Sequence, residues 1–63
     1  MNYEQMCAAV REMAENSVLL LSEGDQEFIL GLSIMLESDE RISAVHADRI
    51  QKIHHTFTQN RYA

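Results

Sequence analysis

Two serine-led apolar stripes between Ser22 and Phe57 constrain the fold of this 63-residue chain more than any other feature. In each stripe a serine precedes apolar residues that recur every three or four positions, as on one face of an α-helix. A serine just before a helix accepts a hydrogen bond from a free backbone N–H, so Ser22 and Ser43 are predicted N-caps. The short polar segment 37–41 between the stripes is typical of a helical hairpin. The stripes consist of Phe28, Ile29, Leu32, Met35 and Leu36, and of Ile50, Ile53 and Phe57.

The segment before Ser22 has an apolar seam of its own. Asn2 and Gln5 have the spacing of a capping box, in which each side chain accepts a hydrogen bond from the backbone N–H of the other residue. Residues at intervals of three and four then predict an amphipathic helix. This seam comprises Tyr3, Met6, Val10, Met13, Ser17 and Leu20.

The sequence therefore predicts a single all-α domain that spans residues 1–63. Proline is absent and glycine occurs only twice, so few positions would break a helix. Three helices are expected at about 3–20, 23–37 and 44–59. The second and third would form a helical hairpin, and the first would be an amphipathic helix added at the N-terminal side.

The second predicted helix carries apolar residues on more than one face. Leu30 and Ile34 lie four residues apart and roughly opposite the predicted core-facing side. Gly31 and Ser33 are small and would allow another backbone to approach closely. A chain of this size buries only about 60% of its unfolded surface, and its one cysteine, Cys7, allows no intrachain disulfide. We therefore expect a homodimer, with Leu30 and Ile34 as dimer or partner anchors, although isolated exposed apolar residues are also common.

Charge is distributed unevenly along the chain. Nine acidic residues and one basic residue give residues 1–40 a net charge of −8, whereas residues 41–63 carry +3. Acidic side chains in a first helical turn stabilise the helix dipole, so part of this cluster can serve capping alone. The other interpretation is an acidic surface that steers the protein toward a basic patch on a partner. The candidate partner-binding residues are Glu23, Asp25, Glu27, Glu37, Asp39 and Glu40.

Catalytic and metal-binding patterns are not found in the sequence. It contains no glycine-rich phosphate loop, no serine nucleophile elbow and no HExxH motif. The histidines His46, His54 and His55 have no carboxylate or thiol at the helical spacing that a zinc site needs. We expect His54 at the margin of the core and His55 in solvent. No enzyme activity, cofactor or metal is predicted.

The third predicted helix supports an alternative function in nucleic-acid binding. It is mildly basic, and a helix, a turn and a helix superficially suggest a DNA-binding motif. A sequence pI near 4.9 and the acidic connector weigh against this, because phosphates would be repelled there. The alternative is a dimeric DNA-binding or transcription-accessory protein. Its candidate nucleic-acid face comprises Arg49, Lys52, His55 and Arg61.

Neither the N-terminal residues nor the longest aliphatic run suggests membrane insertion. The N-terminus lacks the basic region of a signal peptide, and the longest aliphatic run, residues 18–21, is far short of a membrane span. We expect a soluble, cytoplasmic protein without a membrane partner.

Residues 21–57 resemble a helix pair found in many short phage and mobile-element proteins, with the pattern LSxxExxF…LSxxQxxxLxxI. The resemblance is carried by the string Leu21-Ser22-x-x-Asp25-x-Glu27-Phe28, then by Leu32, Leu36, Ser43, Ile50 and Ile53. The chain departs from the pattern at Ile42, where leucine is usual, and at His46-Ala47, where glutamine is common. Small acidic phage proteins of this kind include anti-CRISPR, anti-restriction and polymerase-binding proteins. The resemblance thus implies a module that binds, and inhibits, a host protein with a basic surface.

Overall fold

The computed structural model describes residues 2–16 and 20–61, which contain three packed α-helices and, within these ranges, no strand. Helix α1 spans Tyr3–Asn16, α2 spans Glu23–Glu37 and α3 spans Ala47–Arg61, with a 3-10 turn at Ala44–His46 before α3. The all-α prediction and the bounds of α2 are confirmed. The third helix begins as a 3-10 turn and continues two residues beyond its predicted end. The predicted continuation of the first helix to residue 20 passes through 17–19, which lie outside the described residues.

Local hydrogen bonds fix where the helices begin. The backbone N–H of Asn2 donates to Gln5 Oε1 at 2.9 Å, and the N–H of Gln5 donates to Asn2 Oδ1 at 2.8 Å, which confirms the capping box. Ser22 Oγ accepts from the N–H of Asp25 at 3.4 Å. Ser43 Oγ accepts from the N–H of Val45, so it caps the 3-10 turn that leads into α3. Both predicted serine caps are therefore present.

Helix α2 ends in a Schellman motif that uses no glycine. The N–H of Glu40 donates to the carbonyl of Met35 at 2.9 Å, and the N–H of Asp39 donates to the carbonyl of Leu36 at 3.2 Å. Asp39 adopts the left-handed backbone conformation, with φ of 59°. Aspartate tolerates this region better than most residues do. The turn that carries Asp39 and Glu40 therefore has a defined geometry at the end of α2.

Helix α1 packs closely against both α2 and α3. The sequence instead predicted a hairpin of the second and third helices, to which the first helix was added. The difference arises because one stripe of α1 is buried against both other helices. The buried core comprises Met6, Ala9, Val10, Met13, Leu21, Ile29, Leu32, Leu36, Ile42, Ile50, Ile53 and Phe57. Leu20, which was predicted on the seam of the first helix, lies outside α1 and is partly exposed.

Polar contacts hold α1 against the rest of the chain at two points. The N–H of Ile42 donates to the hydroxyl of Tyr3 at 3.2 Å, and the Arg41 guanidinium lies 4.1 Å from the centre of the Tyr3 ring. Farther along, a ring nitrogen of His54 lies 2.8 Å from a carboxylate oxygen of Glu12. His54 is partly buried and stacks on Phe57, as expected for the core margin.

Candidate interaction surface

One face of α2 is buried, and its direction differs slightly from the predicted one. Ile29, Leu32 and Leu36 are buried, whereas Phe28 and Met35, which were predicted to face the core, are only partly buried. The buried residues recur at intervals of three and four, so they form one stripe, and Phe28 and Met35 lie along its edge. The opposite side of α2 therefore faces away from the core.

This opposite side combines exposed apolar and acidic residues. Leu30 is 42% exposed and Ile34 is 63% exposed, although both are large aliphatic residues. Acidic residues at helical intervals precede and follow them, and all three acidic residues are exposed. We call this set the outer face of α2: Glu23, Glu27, Leu30, Ile34 and Glu37. No described part of the chain covers it.

The six predicted partner-binding acids do not form one surface. Glu23, Glu27 and Glu37 belong to the outer face. Asp25 instead lies on the flank of α2 near α3, where its carboxylate is 3.7 Å from the guanidinium of Arg49. Arg49 also lies 4.0 Å from the centre of the Phe28 ring. Arg49 therefore places a positive charge beside Asp25 on this flank of α2.

Asp39 and Glu40 lie beside a shallow depression between α1 and the connection from α2 to α3. Two basic residues, Arg11 and Arg41, line the same depression. Asp39 and Glu40 therefore share a depression with two arginines, whereas α2 itself supplies no basic residue beside the glutamates of its outer face. Cys7 also lines this depression and is partly buried.

The residues of the candidate nucleic-acid face, like the six acids, lie in different surroundings. Arg49 is engaged by Asp25 and Phe28. Lys52 and His55 are exposed along α3, but they line a shallow depression together with Asp48. The side chain of Arg61 lies outside the described part of the structure. The residues gathered on this face thus include a carboxylate that would repel phosphate.

Sequence reasoning did not single out Val45, which is 81% exposed. It lies in the 3-10 turn, one residue before His46, whose ring contacts Phe28 edge-on at a centroid distance of 5.3 Å. A signal existed, because Val45 precedes the apolar position Ile50 by five residues, which corresponds to about 140° of rotation around an ideal helix. Val45 is therefore a further exposed apolar side chain, located in the 3-10 turn before α3.

The described residues contain no group of three histidine, cysteine or acidic side chains that could hold a metal ion. Within the same ranges, every helix is too short or too polar to cross a bilayer. No family model, curated protein or solved structure matches the chain. The outer face of α2 is therefore the feature on which a functional hypothesis rests.

Proposed function

We propose that this chain is a small, non-enzymatic interaction module that binds a host protein with a basic surface and inhibits it. The observation that carries the proposal is the outer face of α2. Exposed Leu30 and Ile34 occupy its centre, and acidic residues flank them on both sides. Apolar anchors supply most of the affinity in protein interfaces, whereas surrounding charges mainly set orientation and association rate. The resemblance to phage proteins supports inhibition as the outcome of binding.

The charge pattern of α2 specifies the chemistry of this partner. The helix contains no lysine, arginine or histidine, so nothing within it offsets its glutamates. Glu23 and Glu37 lie 14 positions apart, or roughly 21 Å along the helix axis at 1.5 Å per residue. This distance exceeds the Debye length of about 8 Å at physiological salt, so one positive charge cannot serve both residues. A matching partner would carry several basic side chains around an apolar patch.

The same pattern favours a different protein over a second copy of this chain. In an antiparallel pairing that sets Leu30 against Ile34 of a second copy, Glu27 would face Glu37 twice. Like charges placed directly opposite each other destabilise an interface, and α2 has no base to relieve them. Homodimerisation through this face remains a prediction from the sequence. Urea denaturation at two protein concentrations would test it.

Charge reversal on the outer face tests the proposal. A tagged chain would be used to capture partners from nuclease-treated lysate of the native host, alongside the double variant Glu27→Lys, Glu37→Lys. Neither substitution should harm α2, because position 27 is exposed and a lysine in the last turn complements the helix dipole. The matched control is Glu4→Lys, Glu15→Lys, which changes the net charge equally on exposed positions of α1.

We expect a stoichiometric protein that is retained by the α1 control and lost with the outer-face variant. Equal loss with both variants would mean that only net charge matters, and retention by both would exclude the outer face. Material captured only from a parallel lysate without nuclease treatment would support the nucleic-acid alternative instead.

A further inference from the structure

Gly31 occupies a helix-interior position at which nothing in the described chain requires a glycine. It lies in the middle of α2 and does not adopt a positive φ. A Cβ atom built on it meets no heavy atom within 4 Å. Glycine in a helix interior is less stable than alanine because it loses more backbone freedom on folding. The fold alone would therefore favour alanine at this position.

The surroundings of Gly31 suggest what the glycine provides. By ideal helical geometry it lies about 60° around α2 from Ile34 and about 40° from Glu27, at the edge of the outer face. Phe28 and Met35, both partly buried, lie on its other side. The backbone of α2 is thus uncovered at a point bordered by apolar side chains. Another polypeptide could approach the α2 axis more closely here than elsewhere on the outer face.

We propose that the outer face of α2 receives a basic amphipathic α-helix of the partner, which crosses α2 at Gly31. Apolar side chains of that helix would contact Leu30 and Ile34, and its lysines or arginines would lie near Glu27 and Glu37. This inference rests on the proposed function and names the structural class of the partner segment. In this recognition mode an amphipathic helix packs along an apolar surface through side chains spaced three and four residues apart.

A helix fits this surface better than an extended strand does. Strand addition requires unpaired backbone N–H and C=O groups along an edge, whereas the backbone groups inside α2 are paired with one another. The apolar residues on the outer face lie four positions apart along one helix, which matches the spacing of anchors on a second helix. A glycine at the crossing point reduces the distance between the two axes.

A synthetic peptide provides a defined probe. We suggest an acetylated and amidated 18-residue helix with leucines along one face, a central alanine on that face and lysines flanking it. A control peptide of the same composition would have its leucines and lysines permuted so that no apolar face forms. Binding would be measured by fluorescence anisotropy against the intact chain, Gly31→Ala, Gly31→Leu and the Glu27→Lys, Glu37→Lys variant.

We expect the amphipathic peptide alone to bind, and Gly31→Ala to weaken its binding about tenfold through overpacking at the crossing point. Gly31→Leu should weaken it further. Gly31→Ala should also raise the Tm of the free chain by about 4–8 °C, because alanine favours the helix. The control Thr56→Ala, at an exposed position of α3, should raise the Tm without affecting peptide binding.

Each other result overturns a specific step. Peptide binding that depends on Glu27 and Glu37 but not on Gly31 would refute the crossing point and leave the proposed function intact. Failure of the peptide to bind, with a host protein still captured through Glu27 and Glu37, would show that the partner segment is not a helix. Peptide binding that the charge-reversal variant retains would refute the outer face and the proposed function together.

Discussion

Two isoleucines of α2, five residues apart, should respond very differently to replacement by alanine. Ile29 is completely buried, whereas Ile34 is 63% exposed. If the outer face of α2 serves binding and not folding, Ile29→Ala should destabilise the chain and Ile34→Ala should leave the fold intact. Partner binding should then be weakened by Ile34→Ala in a protein that is still folded.

The expected magnitudes follow from these exposures. Replacing a fully buried isoleucine by alanine lowers the free energy of unfolding by about 2–5 kcal/mol, through lost transfer energy and a residual cavity. A domain of 63 residues has a total of only about 3–9 kcal/mol, so Ile29→Ala would be partly unfolded. Full burial of an isoleucine contributes about 1.5–3 kcal/mol, of which Ile34 retains roughly a third. The higher helix propensity of alanine offsets a few tenths of a kcal/mol, so the net change should be within about 0.5 kcal/mol.

Urea denaturation followed by circular dichroism, at two protein concentrations, provides the measurement. An unchanged midpoint for Ile34→Ala, together with at least about tenfold weaker partner binding, is the expected result. A loss above about 1.5 kcal/mol would contradict it, because such a loss means that Ile34 is covered in solution. A midpoint that rises with protein concentration would identify a second copy as the covering chain and would establish the homodimer.

Two further substitutions test the local interactions that shape the surface. Ser22→Ala should lower the free energy of unfolding by about 1 kcal/mol, whereas Ser22→Gly should lower it by only a few tenths, as measured by urea denaturation. An unchanged free energy of unfolding for Ser22→Ala would mean that the 3.4 Å bond to the N–H of Asp25 does not stabilise α2. Arg49→Ala should lower it by about 0.5–1.5 kcal/mol, from the stacking on Phe28 and an exposed ion pair that contributes little. Partner capture should be unaffected, and salt-sensitive binding of duplex DNA that Arg49→Ala weakens would instead favour the nucleic-acid alternative.

The features predicted correctly from the sequence are those set by neighbouring residues. The Asn2–Gln5 capping box, the Ser22 cap and the bounds of α2 each depend on side chains within one helical turn. Periodicity also identified the buried residues of α3, because Ile50, Ile53 and Phe57 recur at intervals of three and four. Such local signals do not specify which helices pack together. The close packing of α1 against both other helices therefore became apparent only in the folded chain.

The candidate surface could likewise be predicted from the sequence only in part. Leu30 and Ile34 were predicted to lie outside the core because they are on the side of α2 opposite its buried stripe. The grouping of the six acids could not be predicted, because it depends on where basic residues from other segments come to lie. Arg49 is 24 positions beyond Asp25 in the sequence, yet the fold brings their charges to 3.7 Å.

This separation of charges strengthens the case for binding through α2. The chain has five lysines and arginines against ten acidic residues, so basic side chains are scarce. Arg49 lies beside Asp25, and Arg11 and Arg41 lie near Asp39 and Glu40, so three of the five are placed next to acids away from the outer face. The glutamates that border Leu30 and Ile34 form no ion pair with any described residue. Among the described residues, folding thus leaves negative charge without an ion-pair partner around the exposed apolar residues. A basic partner would be attracted by this charge and would bury the apolar side chains on binding.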